Sequence, residues 1–236
     1  MAEVSKTPVY NWLPQKYIDL VENTANPMLS EYQQAELDYM RTRVEQPRGK
    51  VFVDVGAGYG RVLSELSRVS RSVIAVEIDE EMLGELRRRA QALPNVHVVQ
   101  GDANQLSDLL KNHDMEKPVF ICLQNSLGTW KGDWEKVVKE MKRIAQERRG
   151  EIFLSLFCQE GLKDFGIDMY RTAQDLVGEP DLEHTDFERG IFRSKSGYKS
   201  QWWTKGQREV IRRFLDGQKV GEVVAPAYYL LHTKYF

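Results

Sequence analysis

The segment VFVDVGAGYGR, residues Val51–Arg61, is the most informative part of this chain about its fold. Four of its first five residues are apolar and three of them are valines, which is typical of a strand buried in a parallel sheet. Glycines follow at positions 56, 58 and 60, and a helical pattern begins at Arg61. Glycine allows a positive φ and close approach of the backbone to a ligand, and amides at a helix start can face a polar or anionic group. The stretch therefore predicts a ligand-binding loop between a strand and a helix.

Strands and helices continue to alternate after this loop. The further predicted strands are Ser72–Val76, Val96–Val99, Pro118–Leu123 and Glu151–Leu156. The predicted helices are Arg61–Val69, Glu80–Ala92 and Trp134–Arg148. This order implies right-handed crossovers and a sheet that is covered on both faces. We expect an α/β fold, a doubly wound and mostly parallel sheet with helices on both faces. Ligands of such sheets bind beyond the carboxyl ends of the strands, so residues that follow strands are the site candidates.

The remaining regions predict a cap, an insertion and a closing strand pair. The pattern over Tyr17–Val44 is helical and breaks at Asn26-Pro27, which predicts an N-terminal helical cap over residues 1–46 and a main domain over 47–236. Alternation stops near residue 159, and a polar segment with scattered aromatic residues, about 159–204, is expected to be an insertion. The C-terminal antiparallel strand pair is predicted at Gln218–Val224 and Tyr228–Tyr235.

The spacing of the glycines favours a nucleoside ligand that lacks a pyrophosphate, and two acidic residues add to the case for a bound nucleoside. The dinucleotide fingerprint G-x-G-x-x-G, counted from Gly56, requires a third glycine at position 61, but this chain has Arg61 there and its third glycine is Gly60. Glu77 ends the second strand 21 residues after Gly56, where an acid accepts hydrogen bonds from both ribose hydroxyls and repels a 2′-phosphate. Asp54 lies in an otherwise apolar strand, where a carboxylate is costly unless an ammonium group or backbone amides pair with it.

A third polar turn follows the third strand. Gly101-Asp102-Ala103 places an acid where it can reach an adenine amino group. Taken alone, each signal has a plainer interpretation: a structural turn for the glycine loop and for Asp102, and a solvated strand end for Glu77. The three signals are stronger together, because they follow three successive strands.

These residues resemble the class I S-adenosylmethionine (SAM)-dependent methyltransferase family. Asp54–Gly60 is similar to the first motif of the family, Glu77 to its ribose-binding acid, and Gly101–Ala103 to its adenine-side motif. The resemblance extends over about Val51–Leu156 and implies that residues 47–236 form a SAM-binding methyltransferase domain with SAM as cofactor.

The resemblance also implies a role for each part of the site. Asp54, Gly56 and Gly58 would surround the methionine part of SAM, Glu77 would hold the ribose, and Ile78 would pack on the adenine ring. The full set of implied cofactor-binding residues is Tyr17, Asp54, Gly56, Ala57, Gly58, Gly60, Arg61, Glu77, Ile78, Asp102, Ala103, Gln124 and Asn125.

The fourth strand ends in CLQNSLG, Cys122–Gly128, where the family meets both the methionine part and the acceptor. Methylases that act on exocyclic amino groups of bases carry Asp/Asn-Pro-Pro-aromatic here, and this chain lacks those prolines. The segment is more similar to the Asn/Ser-Phe-Gly loop of small-molecule methyltransferases, with Leu127 where an aromatic residue is usual. In the family, an N-terminal cap and the insertion cover the pocket, and Tyr10, Trp12 and Tyr17 are candidate aromatic residues in the cap. The residues predicted to line the acceptor are Asn125, Trp130 and Tyr170.

Charge and residue composition limit the classes of binding partner that we expect for this chain. The 236 residues carry a formal net charge of −2, so the chain has no long-range attraction to nucleic acid or anionic lipid. Arg87–Arg89 splay around a helix that also carries three glutamates, which indicates surface charges rather than an RNA contact. Cys122 and Cys158 lie in apolar stretches and make neither a disulfide framework nor a metal site, so no metal is predicted. The four histidines lie in strands or polar loops, and no general base is assigned.

The expected protein is cytoplasmic, has a small-molecule acceptor and is a monomer or homodimer. No apolar stretch reaches the ~20 residues of a membrane span, and Met1–Pro14 lacks the pattern of a secretory signal. Two alternatives stay open: an RNA or protein methyltransferase with the same core, and a non-catalytic SAM-binding protein. An NAD-dependent oxidoreductase is a distant further alternative.

Overall fold

The computed structural model describes residues 14–130 and 133–236. Residues 1–13 of the predicted cap, including Tyr10 and Trp12, therefore lie outside the described residues. The strands are β1 Val51–Val55, β2 Ser72–Glu77, β3 Val96–Gln100, β4 Val119–Cys122, β5 Glu151–Phe157, β6 Ile191–Arg193, β7 Lys199–Gln201, β8 Gln218–Val224 and β9 Tyr228–Lys234. The helices are α1 Pro14–Glu22, α2 Pro27–Arg43, α3 Leu63–Val69, α4 Glu80–Ala90, α5 Leu106–Leu110, α6 Ser126–Thr129, α7 Trp134–Arg148, α8 Ile167–Thr172, α9 Gln174–Val177 and α10 Lys205–Phe214.

A seven-stranded sheet in the order β3-β2-β1-β4-β5-β9-β8 forms the centre of the molecule. β1 to β5 are parallel, β9 runs antiparallel to β5, and β8 runs antiparallel to β9 at the sheet edge. The predicted fold class is confirmed, including the C-terminal antiparallel pair. Strand order reverses at β1, and the crevice that this reversal opens lies beyond the carboxyl ends of β1 and β4.

Alternate residues of each strand pack into cores on opposite faces of the sheet. On one face, Phe52 of β1 packs with apolar residues of α2, α3 and α4. On the other face, Val53 and Val55 pack with apolar residues of α5, α7 and α10. Asp54 shares the side of the strand with Phe52, so its carboxyl points toward the α2 and α3 layer.

The N-terminal helices α1 and α2 lie on the side of the sheet that Asp54 faces. Asn26 caps α2 by accepting hydrogen bonds from the backbone N–H groups of Met28 and Leu29, both at 3.1 Å. This cap and Pro27 at the first helical position explain why the helical pattern breaks here. α1 packs through Ile18 and Val21 against Tyr59 of the glycine loop and Met82 of α4. The two cap helices therefore lie next to the crevice.

Three helical regions were not predicted from the sequence. α5 lies between β3 and β4, α6 follows β4, and α8 and α9 lie in the segment that the sequence described as polar. All four helices are six residues or shorter, so their periodicity is too brief to read from the sequence. Within this segment, the predicted insertion, apolar side chains pack around the buried Trp202 and Phe192 and form a core.

Candidate functional site

The glycine loop leaves β1 and is held against β2. The backbone N–H groups of Gly56 and Ala57 both donate to the carbonyl oxygen of Val76, each at 3.0 Å. Gly56, Gly58 and Gly60 have φ angles of +76°, +56° and +85°. Residues with a β-carbon are strained in this region, so the spacing of the glycines follows from the path of the loop.

Two glycines of the loop have different surroundings. At Gly60, a methyl group would lie 2.8 Å from the side chains of both Leu63 and Leu86, so glycine is required for α3 and α4 to pack. At Gly58, no heavy atom of the described residues lies within 4 Å of the β-carbon position. The backbone at Gly58 therefore borders open space that a ligand can approach.

Glu77, at the end of β2, stabilises this loop by accepting a hydrogen bond from its backbone. One carboxylate oxygen accepts from the N–H of Gly58 at 2.7 Å, and the other accepts from Ile78 and Asp79 at 2.8 and 2.9 Å. Burial raises the pKa of Glu77, and the three backbone hydrogen bonds act in the opposite direction. A carboxylate offers about four acceptor positions, so about one remains for a ligand hydroxyl.

Asp54 is the unpaired acid of the site. Its side chain is 3% exposed and receives no hydrogen bond from the described part of the chain. Burial raises the pKa of Asp54 to about 7, while the Arg61 guanidinium opposes this rise and the carboxyls of Glu77 and Glu36 add to it. A buried carboxylate without a partner is costly, so this position suits a ligand cation such as an ammonium group.

Arg61 follows the last glycine and pairs with a buried acid from α2. Its Nη2 donates to Oε2 of Glu36. A guanidinium has five N–H donors, and among the described residues this is the one hydrogen bond that the Arg61 side chain makes. The other donors are available to an anionic group of a ligand.

Tyr17 of α1 lies over the same region. Its ring meets that of Tyr59 edge-on, with centroids 5.7 Å apart. Burial raises the pKa of Tyr17 to about 12, and the charges of Arg61, Glu77 and Glu36 also act on it. The predicted pocket residue of the cap is therefore close to the glycine loop.

The residues predicted on the adenine side follow β2 and β3. One oxygen of Asp102 accepts from the backbone N–H and the Nδ2 of Asn104 at 2.8 and 2.9 Å. Ala103 is buried, whereas the side chain of Ile78 is 54% exposed. Asn104 carries a buried Oδ1 with no hydrogen-bond partner within residues 14–130 and 133–236. These groups together offer an apolar surface and free acceptors.

Gln124 and Asn125 form a left-handed turn at the end of β4, with φ angles of +49° and +57°. The Asn125 side chain is fully buried, and its Oδ1 accepts from the Phe157 N–H at 3.1 Å and the Trp203 Nε1 at 2.9 Å. Its Nδ2 donates to the Gln201 carbonyl oxygen at 3.0 Å and to the Ser200 hydroxyl at 3.4 Å. All four hydrogen-bonding positions of the amide are in use, so this side chain holds the turn to β5 and β7.

Trp130, a predicted acceptor-lining residue, lies beside the glycine loop. A methyl group on Gly56 would lie 3.5 Å from the Trp130 ring and 3.3 Å from Cβ of Ser126. The end of α6 and the start of the glycine loop are thus in van der Waals contact range. An indole at this place suits the neighbourhood of a cationic ligand group.

Tyr170, the other aromatic residue predicted to line the acceptor, packs inside the insertion. Its ring stacks on Phe192 with centroids 3.6 Å apart, and its hydroxyl accepts from Trp202 Nε1 at 3.0 Å. The side chain is 3% exposed. Its contacts are those of a packing residue, and besides burial, its charge contributes to the raised pKa of Tyr17.

Neither metal nor thiol chemistry is indicated within the described ranges. No group of three histidine, cysteine, aspartate or glutamate side chains there is arranged to hold a metal ion. Cys122 and Cys158 are buried and unbonded to each other, and burial raises the pKa of the Cys158 thiol to about 12. For residues 14–130 and 133–236, no helix has both the length and the apolar character of a membrane span.

Sequence reasoning missed Glu36 and Asn104. Glu36 interrupts the apolar stripe that Leu29, Tyr32 and Tyr39 form on α2, and an acid on a buried stripe was the available signal. Asn104 directly follows the predicted adenine-side turn and gave no separate signal.

Comparison with known proteins agrees with this geometry. Residues 52–148 match the methyltransferase domain family. A curated relative, ribosomal RNA small subunit methyltransferase A of Thermotoga petrophila, is 31% identical over 118 residues. That match covers 49% of this chain and 43% of the relative, so this chain spans less than half the length of that protein.

Solved structures resemble the whole described fold. A protein from Pyrococcus horikoshii OT3 has a TM-score of 0.66 at 20% identity, covering 94% of this chain and 97% of its own. An S-adenosylmethionine-dependent methyltransferase from Clostridium acetobutylicum ATCC 824 has a TM-score of 0.60 at 13% identity, covering 94% of this chain and 96% of its own. At such identities the likeness concerns the fold.

Proposed function

We propose that this chain, which contains a class I SAM-dependent methyltransferase domain, transfers the methyl group of SAM to a small-molecule acceptor. The observation that carries the proposal is the line of acids at the carboxyl ends of three adjacent strands. Asp54, Glu77 and Asp102 come from the ends of β1, β2 and β3, which are neighbours in the sheet. Methionine, ribose and adenine parts of one nucleoside can each meet one of them.

The residues present fit SAM. The buried, unpaired carboxyl of Asp54 suits its ammonium group, and the unused N–H donors of Arg61 suit its carboxylate. The exposed Ile78 and the free Asn104 Oδ1 suit the ring and the amino group of adenine. Because Glu77 keeps about one free acceptor position, we propose that it holds one ribose hydroxyl directly.

When bound, SAM supplies an electrophilic methyl group on a sulfonium, and the protein contributes alignment and exclusion of water. In this chain, Asp54 and Arg61 would fix the amino-acid end, and Glu77 would fix the sugar. The Trp130 ring beside Gly56 would line the space where the two reactants meet. Asn125 would act indirectly, because its hydrogen bonds hold the turn after β4 in place.

A small molecule is favoured as acceptor because two of the three arginines in the Arg87–Arg89 run of α4 are already paired with acids, while Arg87 donates to the Gln100 side chain. In the Arg87–Arg89 run, Arg88 and Arg89 both pair with Glu85, and Arg89 also pairs with Glu22 of α1. Phosphate contacts need free cations. The segment after β4 lacks the Asp/Asn-Pro-Pro-aromatic motif of methylases that act on base amino groups, and this also favours a small-molecule acceptor.

The second candidate is methylation of RNA. It is favoured by one observation, the similarity of about half of this chain to ribosomal RNA methyltransferases. Each of these matches covers 43% of the relative, so RNA is a candidate acceptor that the transfer assay has to test.

Two experiments test the proposal. Titration calorimetry with SAM and S-adenosylhomocysteine measures cofactor binding, and we expect both ligands to bind to one site. A transfer assay with methyl-labelled SAM then compares a metabolite extract, total RNA and protein extract as acceptors. We expect label in the small-molecule fraction.

Each other result has a definite meaning. No binding of either ligand would reject the methyltransferase proposal, and label in RNA or protein would replace the acceptor class. Tight binding with no transfer to any fraction would indicate a non-catalytic SAM-binding protein.

A further inference from the structure

We propose that Glu36 is a positioning residue of the cofactor site, which orients the Arg61 guanidinium toward the amino-acid carboxylate of SAM. This inference rests on the proposed function and adds a residue from outside the matched domain, since Glu36 precedes residue 52. It also assigns a task to α2 beyond covering the sheet.

The placement of Glu36 is unusual for an acid. It lies in the middle of α2, on the stripe that packs against the sheet, and its side chain is 0% exposed. An apolar residue at such a position would pack without the cost of removing a charge from water. Retention of a carboxylate here therefore calls for a role that an apolar residue cannot supply.

Both carboxylate oxygens of Glu36 are engaged, and they reach different parts of the site. Oε2 accepts from the Arg61 guanidinium. Oε1 accepts from the backbone N–H of Gln124 at 2.6 Å and from the hydroxyl of Ser155, which in turn bonds with the hydroxyl of Tyr32. One side chain thus links the glycine loop, the end of β4 and β5.

These contacts fix which part of the ligand Arg61 can meet. Because Glu36 touches the ends of β4 and β5 as well as Arg61, the guanidinium lies toward the β1–β4 side of the crevice. Asp54 lies in β1 and its charge interacts with Arg61. An α-amino acid carries an ammonium and a carboxylate on one carbon, and an unpaired carboxyl beside a guanidinium with free donors complements it.

The same contacts link cofactor binding to the β4 turn. Gln124 has a φ angle of +49°, a conformation that a non-glycine residue adopts at a cost. The hydrogen bond from its N–H to Glu36 stabilises this conformation. Glu36 therefore holds the Arg61 guanidinium and the turn in one arrangement.

The test compares two nucleosides that differ at the amino-acid end. S-adenosylhomocysteine carries the amino-acid group, and 5′-methylthioadenosine lacks it. In Glu36→Gln, the amide has one acceptor oxygen for the groups that two carboxylate oxygens serve, so Arg61 or Gln124 loses its partner. We expect affinity for S-adenosylhomocysteine to fall at least tenfold and affinity for 5′-methylthioadenosine to change by less than twofold, both by calorimetry.

Matched variants complete the test. Glu31→Gln changes an exposed acid on the same helix, and we expect wild-type affinity for both ligands. Should Glu36→Gln fail to fold, Glu36→Asp keeps the charge but withdraws it from Arg61, and the same selective loss is expected. Equal weakening of both ligands, or no weakening of either, in a folded variant would overturn the inference. Failure of the proposed function is distinguishable, since wild-type protein would then bind neither ligand.

Discussion

The proposed cofactor side and the proposed acceptor side of the crevice use polar residues in opposite ways. On the cofactor side, Asp54 and Arg61 keep hydrogen-bonding capacity that the described residues leave unused, and Ile78 keeps an exposed apolar surface. On the acceptor side, the Asn125 amide makes four internal hydrogen bonds, and the Tyr170 hydroxyl is bonded to Trp202.

From this difference we predict that unused hydrogen-bonding capacity identifies ligand contacts better than polarity at a strand end does. Both sides follow strands of the same sheet, and both carry polar residues there. Buried polar groups with all partners supplied by the protein rigidify the fold. Buried polar groups with partners missing are costly unless a ligand supplies them.

The largest expected effect is on the cofactor side, in Glu77→Lys. The substitution removes the acceptor of three backbone N–H groups and places a cation where we expect the ribose hydroxyls to bind. We expect affinity for S-adenosylhomocysteine to fall at least ~100-fold, since hydrogen bonds to charged groups contribute about 1.5–3 kcal/mol each.

Calorimetry measures this loss, and Glu80→Lys, at the exposed first residue of α4, is the control. Wild-type affinity in a folded Glu77→Lys variant would refute the proposed ribose contact.

On the acceptor side, Asn125→Ala should change stability rather than cofactor binding. Loss of a buried amide with four partners is expected to lower the free energy of unfolding by about 3 kcal/mol. Affinity of the folded variant for S-adenosylhomocysteine should stay within about threefold, because the amide is occupied by protein groups. Urea denaturation and calorimetry separate the two effects. A large selective loss of affinity would mean that Asn125 contacts the ligand, as the sequence predicted.

Asp54 predicts a pH dependence of binding. Its pKa is raised to about 7, so the unliganded protein is mostly protonated there at pH 6 and mostly ionised at pH 8. An ammonium group binds the ionised form, and affinity for S-adenosylhomocysteine should therefore rise about tenfold from pH 6 to pH 8. Asp54→Asn should bind more weakly and lose this rise. A pH profile that is identical in the variant would assign the titration to another group.

The same raised pKa predicts a stability trend in unliganded protein. The folded state binds the proton more tightly than the unfolded state, so the Asp54 contribution to stability falls as the pH rises from about 4 to 7. Asp54→Asn should remove that part of the decline in urea denaturation. A steeper decline in the variant would contradict the assigned direction.

The smallest effect is expected for Ile78→Ala. Three carbon atoms that are exposed in the free protein would lose contact with the adenine ring, which predicts about a fivefold loss of affinity. Stability should change by less than about 0.5 kcal/mol, as is usual for exposed positions. Val210→Ala on α10, similarly exposed, is the control. A change in stability without a change in affinity would place the ligand elsewhere.

The sheet was predictable because its strands are locally distinctive. β1 and α7 have the predicted bounds, and β2 and β3 extend one residue further than predicted. Buried parallel strands contain continuous apolar runs, and the intervening helices have caps and amphipathic spacing. α8 and α9 could not be predicted, because packing against Trp202, more than 20 residues away, stabilises them.

The proximity of the candidate site residues was predictable where they adjoin the strand ends in sequence. Asp54 is the penultimate residue of β1, Glu77 ends β2 and Asp102 follows β3, and these three strands are neighbours in the sheet. The role of Asn125 depends on groups 76 and 78 residues away, Gln201 and Trp203, and no local pattern reports such contacts. Glu36 likewise contacts Gln124, 88 residues away.

Hydrogen–deuterium exchange of the wild-type protein, with and without S-adenosylhomocysteine, is the best test of whether the ligand binds across the carboxyl ends of β1, β2 and β3. The account predicts ligand-dependent protection in peptides that cover residues 54–61, 77–79 and 101–104, and little change in residues 159–204. Protection confined to 159–204, or absent from the three strand ends at saturating ligand, would contradict it.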